Sequence, residues 1–365
     1  MKIIFHIPFA INTDVASGTN IRPIKILNAM LGLGHDVEVV KGGNKERRSQ
    51  IDRIKREIKN GKKYDLLYSE SSTLPTLLTE KHHLPSAPFM DFEFFSFCKS
   101  YGIPVGLYYR DIHWNFAHYP LSGIKKAYSH FFYHFDIKKY NKLLDVLFLQ
   151  SYEMKKYIPG LDENIKIVEL PPGVDQVFEH KSFENPKNQL KIIYVGGLGK
   201  LYQLHEFINA AQSFSKIDFS ICTRKEDWNA VKSEYESILQ PSKNIHLIHQ
   251  SGDELDKKMP NYDLASIIVK PTDYWSFVLP LKLFYYLSFQ IPVIASKGTR
   301  AAKFVDEHNV GWVVDYNEKA IESTFNAILN NPESIAEKQN NIKKIHSDIT
   351  WEARVNTIIK TLTSE

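Results

Sequence analysis

The segment LPLKLFYYLSFQIPVIAS (279–296) contains one charged residue, Lys282, in an otherwise apolar stretch. Its apolar spacing predicts a helix that begins near Leu281, which places Lys282 in the first turn. A cation is poorly placed at the positive end of a helix dipole unless an anion binds there too. The free N–H groups of residues 281–283 and the ammonium would together bind a diphosphate. The alternative is a lysine whose stem packs against apolar surface while its head reaches water.

A second polar group directly follows the predicted strand IPVGLYY (103–109) and consists of Arg110, Asp111, His113 and Trp114. A carboxylate beside an imidazole can fix the ring tautomer, accept a proton or bind sugar hydroxyls, and tryptophan offers a face on which a sugar can stack. The alternative is an Arg–Asp pair with the histidine as a cap. The group is therefore a candidate catalytic loop.

The first strand is followed by the loop PFAINTDVASGTNIRP (8–23), which leads into a helix predicted to begin near Ile21, with Pro23 in its first turn. Gly18 and Thr19 then lie at a helix N-terminus, where free N–H groups suit an anion and a glycine allows close approach of a ligand. A surface loop that carries only a Thr/Asn cap is the alternative.

The stretch YVGGLGKLYQ (194–203) places three glycines between a strand and a helix and resembles a phosphate loop only in part. Gly196 and Gly197 would approach a phosphate, and Lys200 is the nearest cation; a plain strand-to-helix turn is the alternative. In ICTRKEDW (221–228), Arg224 could contact a diphosphate through two N–H groups, or could lie in a solvated basic turn.

These loops fall within a regular alternation of short apolar runs and helical segments, which is typical of parallel sheets covered on both faces. The predicted strands of the first half are 2–7, 35–40, 64–69, 103–109, 145–150 and 165–170, with helices near 21–33, 46–60, 91–101 and 121–143. The predicted strands of the second half are 190–195, 217–222, 244–249, 263–269, 291–296 and 311–315. The sequence thus predicts two doubly wound α/β domains that face a cleft, since ligands bind beyond the carboxyl ends of such strands.

A turn-rich stretch, ELPPGVDQVF, followed by the polar HKSFENPKNQ, separates the two halves. We therefore predict two domains, over residues 1–175 and 176–349.

Composition narrows the possible functions. With 43% hydrophobic and 24% charged residues the chain is typical of soluble globular proteins, and a net charge of +4 is modest for a nucleic-acid-binding protein. The two cysteines, Cys98 and Cys222, are far apart in apolar runs, and no apolar run is long enough to span a membrane. We therefore expect a cytoplasmic protein that does not bind nucleic acid.

The predicted helix GIKKAYSHFFYHFDIKKYNKLL (123–144) mixes aromatic residues with lysines. Such a helix could lie on an anionic membrane surface, or could pack with a basic outer face. His130 and His134 have the spacing of a metal pair, but no HExxH-type glutamate or third ligand accompanies them, so an aromatic-rich helix face is the better interpretation.

Five segments resemble the GT-B glycosyltransferases of the large retaining group (glycosyltransferase family 4-like), which includes many bacterial polysaccharide and lipid-linked sugar transferases. They are SGTNIRPIKILNAMLGLGHDVEVV (17–40), LPPGVDQVF (170–178), YVGGLGKLYQLHEFINAA (194–211), LPLKLFYYLSFQIPVIAS (279–296) and TWEARVNTIIKTL (350–362). The resemblance covers nearly the whole chain. It implies that the domain of residues 1–175 binds the acceptor, that the domain of residues 176–349 binds the nucleotide-sugar, and that residues 350–365 form a helix that packs back on the first domain. It implies that a sugar moves from a nucleotide donor, with UDP favoured over GDP, to a glycan or lipid-linked acceptor.

The resemblance also implies residue roles. Asp111, His113 and Arg110 would act at the transferred sugar, and Lys282 would bind the donor diphosphate. The other donor-binding residues would be Gly18, Thr19, Gly196, Gly197, Lys200, Arg224, Ser276, Leu283 and Tyr285. No metal or other cofactor is expected, because a helix N-terminus and cations would stabilise the leaving diphosphate.

The chain departs from the family at several positions. Phe277 and Tyr285 stand where many relatives have a Glu-x7-Glu pair, Gly197 and Tyr202 replace an Arg and a Lys, and Arg110 replaces a His. Two hypotheses of different classes follow: a sugar transferase for a bacterial surface glycan, and a catalytically silent GT-B subunit that binds an acceptor or partner for another transferase. A nucleotide-sugar epimerase of the same fold is a weaker third.

Overall fold

The computed structural model describes residues 1–11, 18–175, 189–239 and 242–364. The chain forms two compact units, one of Met1–Gly173 with Trp351–Glu365 and one of Val174–Thr350. The predicted linker residues 176–188 lie outside the described residues. We call the two bodies unit 1 and unit 2.

The sheet of unit 1 has six parallel strands in the order β2-β1-β3-β4-β5-β6. The strands are β1 (Lys2–His6), β2 (Asp36–Val40), β3 (Leu66–Glu70), β4 (Val105–Tyr108), β5 (Val146–Leu149) and β6 (Lys166–Glu169). The order changes direction between β1 and β3, where an open α/β sheet leaves a crevice beyond its carboxyl ends.

The sheet of unit 2 also has six parallel strands, in the order β12-β11-β10-β7-β8-β9. They are β7 (Leu190–Val195), β8 (Ile217–Cys222), β9 (Ile245–Ile248), β10 (Leu264–Ile267), β11 (Val293–Ser296) and β12 (Gly311–Val314). Here the direction changes between β7 and β10, so the loops after these two strands flank the crevice of this sheet. All twelve predicted strands are confirmed.

Helices connect the strands in both units. They are α1 (Gly18–Gly32), α2 (Asn44–Lys59), α3 (Met90–Ser100), α4 (Gly123–Leu143), α5 (His205–Gln212), α6 (Lys225–Leu239), α7 (Asp253–Asp256), α8 (Leu281–Ser288), α9 (Arg300–Glu307), α10 (Glu318–Asn330), α11 (Glu333–Ile345) and α12 (Trp351–Thr363). The predicted start of α1 near Ile21 was wrong: the helix begins at Gly18, and Pro23 lies inside it.

Each unit has its own core of strand residues covered by helices. In unit 2, β7, β10 and β11 are buried from both sides, because α8 and α9 pack on one face and α5 and α10 on the other. In unit 1 the closing helix α12 packs against α1, and its residues Val355 and Ile358 are fully buried. Among the described residues no helix is both long and apolar enough to cross a membrane.

Candidate functional site

The best-formed polar site of unit 2 surrounds the ammonium of Lys282. Helix α8 begins at Leu281 after Pro280, so the lysine lies in the first turn as predicted. Its Nζ donates to Tyr194 Oη at 2.9 Å and lies 4.1 Å and 4.3 Å from the ring centres of Tyr194 and Tyr202. Tyr194 on β7 and Tyr202 in the loop after it thus hold the ammonium beside the switch point of the sheet, where the strand order reverses between β7 and β10.

The positive charge of Lys282 has no counter-ion among the described residues. In the described part of the chain the ammonium has no carboxylate partner, and burial lowers the pKa of Lys282 to about 7. A partly buried ammonium without a counter-ion loses hydration that cation–π contacts replace only in part. An anion that enters this site would restore the charged form.

The glycine loop after β7 lies directly against the same ammonium. Gly196 has φ +143°, and a Cβ at this position would lie 2.5 Å from Lys282 Nζ. The neighbouring Gly197 offers its carbonyl to the hydroxyl of Tyr194 at 2.6 Å. Glycine at position 196 is therefore required both by the backbone conformation and by the close approach of the lysine.

Two other predicted donor-binding residues, Arg224 and Leu283, already have partners within the protein. Arg224 is exposed and makes two N–H contacts to Asp227, at 2.9 Å and 3.1 Å, so its guanidinium faces a carboxylate. The amide of Leu283 donates to the carbonyl of Pro280 at 3.0 Å, and the prediction of a free N–H there was wrong. A tight first turn explains this pairing, since helix termini often satisfy early amides with contacts to the third residue before.

The remaining three predicted residues of unit 2 differ in exposure and in their partners. Lys200 is exposed in the turn after the glycines. Ser276 Oγ donates to the carbonyl of Asp273 at 2.7 Å, and the hydroxyl of Tyr285 donates to Asp256 at 2.7 Å. Tyr285 therefore forms a phenol–carboxylate pair at a position where many members of the family that the sequence resembles have a glutamate.

Unit 1 contains the second predicted group, on the loop after β4. Asp111 Oδ1 accepts the N–H groups of Ile112 and His113 at 2.7 Å and 3.0 Å and so fixes the short helical turn of residues 113–115. His113 Nδ1 lies 3.7 Å from Asp111 Oδ2, which is longer than a hydrogen bond. Burial lowers the pKa of His113, although Asp111 opposes this effect, so the neutral imidazole is favoured.

Two buried polar atoms of this loop, Arg110 Nη1 and His113 Nδ1, have no hydrogen-bond partner among the described residues. Burial also lowers the pKa of Arg110, although the charges of Tyr108, Glu70 and Asp111 oppose this effect. Unpartnered buried polar groups are costly and are uncommon away from sites that bind water or ligands. The loop therefore has unused hydrogen-bonding capacity, both donor and acceptor.

Trp114 does not offer a stacking face, and that prediction was wrong. Its side chain is completely buried, stacked on Tyr133 at 4.6 Å with His130 and His134 against its edges. Its Nε1 donates to Tyr109 Oη at 3.1 Å. The tryptophan attaches the loop to α4. His130 and His134 pack against its ring, as expected for the aromatic-rich helix face.

Sequence reasoning missed a buried ion pair beside this loop. Arg22 Nε, on α1, donates to Glu70 Oε1 at 3.1 Å, and the guanidinium lies 3.5 Å from the ring centre of Tyr108. The hydroxyl of Tyr68 donates to the same carboxylate oxygen at 2.7 Å. A charged residue at the carboxyl end of β3, followed by Ser71, was the available signal, since the strand is otherwise apolar. Gly18 and Thr19 lie one turn before Arg22, in the first turn of α1.

Among the residues described, no group of three or more histidine, cysteine or acidic side chains could hold a metal ion. The two cysteines are free and buried, one in each unit.

Comparison with known proteins identifies the fold. Residues 268–360 match the family model of the glucosyltransferase 3-like C-terminal domain, and no curated protein sequence matches the chain. HepE from Anabaena, in complex with UDP-glucose, has a TM-score of 0.66 at 13% identity over 100% of both chains. Sucrose-phosphate synthase from Thermosynechococcus elongatus has a TM-score of 0.66 at 10% identity over 99% of this chain and 98% of its own.

A third similar structure is WaaG, a glycosyltransferase involved in lipopolysaccharide biosynthesis, with a TM-score of 0.60 at 12% identity over 100% of both chains. At such identities the likeness concerns the fold. The chain therefore has the GT-B fold of glycosyltransferases, built from two Rossmann-like units, and its C-terminal part resembles the glucosyltransferase 3-like domain.

Proposed function

We propose that the protein is a glycosyltransferase that moves a sugar from a nucleotide-sugar donor to a glycan or lipid-linked acceptor. A UDP-sugar is favoured over a GDP-sugar, because HepE, which has the same fold, was crystallised with UDP-glucose. The proposed role is the synthesis of a bacterial surface polysaccharide or glycoconjugate at the cytoplasmic face of the membrane.

The observation that carries the proposal is the half-buried Lys282 ammonium at the start of α8. It lies at the switch point of the unit 2 sheet, next to a glycine loop and without an acidic partner among the described residues. A diphosphate would supply the missing counter-charge and would use the positive end of the α8 dipole.

The chemistry requires little else from the protein. The acceptor hydroxyl oxygen bonds to the anomeric carbon, the bond from that carbon to the diphosphate oxygen breaks, and the hydroxyl proton passes to the leaving phosphate. We propose that this occurs on one face of the sugar, with retention and without a metal, because Lys282 and the N-terminus of α8 would stabilise the leaving charge. Arg110 and His113 would hydrogen-bond sugar hydroxyls through their unpartnered nitrogens, and Asp111 would hold the loop that positions them.

The first test is calorimetric titration of the protein with UDP, GDP, UDP-glucose and GDP-mannose. The native protein is expected to bind UDP and its sugar conjugate, and Lys282→Ala to weaken this binding by about 2 to 3 kcal/mol, the scale of a lost charge-assisted contact. Lys232→Ala is the matched control, since that lysine is exposed on α6 and pairs with Glu236. Unchanged UDP affinity in Lys282→Ala would refute the assignment.

A pair of glycine variants tests the same site independently. Gly196 and Gly199 both have positive φ, +143° and +130°, but a Cβ at 199 would meet nothing within 4 Å. Gly196→Ala should therefore weaken UDP binding by displacing the ammonium, whereas Gly199→Ala should carry only the backbone strain. Equal effects of the two substitutions would show that strain, and not the lysine contact, controls binding.

The silent-subunit hypothesis retains one supporting observation. Phe277 and Tyr285 have no carboxylate of their own; Phe277 is fully buried, and the hydroxyl of Tyr285 donates to Asp256. The two functions are separated by measuring UDP release from UDP-sugars in the presence of lipid-linked acceptors. Nucleotide binding without any release would favour the silent subunit.

A further inference from the structure

Helix α4 of unit 1 is apolar on two sides, only one of which packs. Phe132, Tyr133, Ile137 and Tyr140 are buried against the sheet and against α3. On the other side, Ile124 is 89% exposed and Phe131 is 65% exposed, with Tyr128 also exposed between them. The buried side already satisfies the core, so the exposed side needs a different explanation.

The loop before α3 extends this exposed side. Leu84 and Phe89 are exposed, and the loop contacts α4 through a Tyr128 hydroxyl that donates to the carbonyl of His83 at 3.4 Å. Phe89 lies 6.4 Å from Phe135 on α4, between ring centres. We call Leu84, Phe89, Ile124, Tyr128 and Phe131 the α4 surface. They are five of the eleven large hydrophobic residues that are exposed in the described ranges of the chain.

The exposed charges within the two segments that carry the α4 surface, 81–89 and 123–143, are all positive. Lysines occupy positions 81, 125, 126, 138, 139 and 142, and the ammonium of Lys139 lies over the rings of Phe89 and Phe135. The only acidic residue within 81–89 and 123–143 is Asp136, which is buried. Three acidic residues follow or precede these segments closely: Glu80, which accepts the amide of Asn44, Glu93, exposed one turn past Phe89 in α3, and Asp145, which pairs with Lys99.

The combination of exposed apolar side chains and lysines distinguishes between a protein and an anionic membrane as the partner. The cores of protein–protein interfaces are depleted in lysine, whereas helices that lie on anionic bilayers carry aromatic and aliphatic side chains flanked by lysines. Lysine stems also allow the ammonium groups to reach lipid phosphates while the apolar groups enter the interface. We propose that the α4 surface binds an anionic lipid membrane, with Ile124 and Phe131 inserted at the level of the headgroups.

The proposal builds on the lipid-linked acceptor of the proposed function, but its test involves no nucleotide. The full-length protein is floated with vesicles of phosphatidylcholine and with vesicles of equimolar phosphatidylcholine and phosphatidylglycerol. Binding to the anionic vesicles is expected to exceed binding to the neutral ones by more than tenfold and to weaken at high salt. UDP binding is measured in parallel, so that loss of one activity is distinguished from loss of the other.

Two variants locate the membrane contact. Ile124→Ser/Phe131→Ser and Lys125→Gln/Lys126→Gln should each lower binding to the anionic vesicles at least tenfold while leaving UDP affinity and thermal stability unchanged. Leu31→Ser/Tyr152→Ser is the matched control, because both residues are exposed elsewhere on unit 1. Absence of vesicle binding, equal binding to neutral vesicles, or binding unaffected by the two α4 variants would each overturn the proposal. A protein partner that occupies the α4 surface and prevents vesicle binding would also overturn the proposal.

Discussion

At the residue scale, the lowered pKa of Lys282 makes nucleotide binding depend on pH. The free protein holds this group with a pKa of about 7, because burial disfavours the ammonium, and a bound diphosphate would raise the pKa. Above pH 7 the protein must therefore take up a proton when it binds UDP. Its affinity should fall by roughly tenfold for each pH unit above neutrality, until the pKa of the complex is reached.

Titrations of UDP at several pH values between about 7.5 and 8.5 test this dependence, since the terminal phosphate, with a pKa of about 6, is almost completely ionised over this range. Lys282→Arg provides the comparison, because a guanidinium remains charged over this range and its binding should be independent of pH. A native affinity that does not change with pH, or an equal slope in the arginine variant, would contradict the proposed role of the ammonium.

The sequence predicted the position of Lys282 but not its surroundings. The helix start at Leu281 follows from Pro280 and the apolar spacing, which is local information. Tyr194 and Tyr202 contact the lysine only because β7 and β10 are neighbours in the sheet, and this pairing is a property of the whole topology. The burial of Trp114 was equally inaccessible, because a loop sequence has no periodicity that indicates the direction of a side chain.

At the element scale, the strands were predictable because each is a short apolar run bounded by turn residues. The start of α1 was not, because Gly18, Thr19 and Asn20 favour a cap, and Pro23 favours the first turn of a helix. The structure keeps Pro23 inside α1, where neighbouring Arg22 forms the buried ion pair with Glu70. A tertiary contact therefore offsets the local preference.

Helix α4 also contains a buried carboxylate that should make unit 1 sensitive to pH. Burial raises the pKa of Asp136 to about 7. The amide of Thr76 donates to Oδ2 at 2.7 Å, but within the described part of the chain Oδ1 has no hydrogen-bond partner. The folded state therefore binds a proton more tightly than the unfolded state does. This carboxyl lowers the stability of unit 1 as the pH rises from about 4 to 7, by up to about 4 kcal/mol.

Asp136→Asn should abolish this loss, because an amide stays neutral and can still accept the Thr76 amide. The variant is expected to match the native protein near pH 4 and to exceed its stability near pH 7.5. Hydrogen-exchange protection of the Thr76 and α4 amides, corrected for intrinsic exchange, measures the difference locally. Parallel pH profiles of the two proteins would mean that Asp136 is already ionised and paired.

At the scale of the whole molecule, the chain returns to unit 1 after completing unit 2. Trp351 and Leu362 of α12 are buried in unit 1, and Arg354 Nε donates to the carbonyl of Pro172 at 3.1 Å. A Cβ at Gly106 in β4 would lie 2.9 Å from Leu362, so this glycine allows α12 to approach the strand. Unit 1 is thus completed by the last residues of the chain, and its stability depends on them.

Trp351→Ala should therefore destabilise one unit selectively. Removal of a buried tryptophan side chain costs about 3 to 5 kcal/mol, and the lost contacts include the guanidinium of Arg22, 5.8 Å from the ring centre. Hydrogen exchange should accelerate in α1, β3 and β4, which contact α12, but not in β7, β10 or β11. UDP should still bind the variant and protect the residues around Lys282, since those residues belong to unit 2. Equal loss of protection in both sheets would instead show that the two units unfold as one cooperative body, and that donor binding cannot be assigned to unit 2 alone.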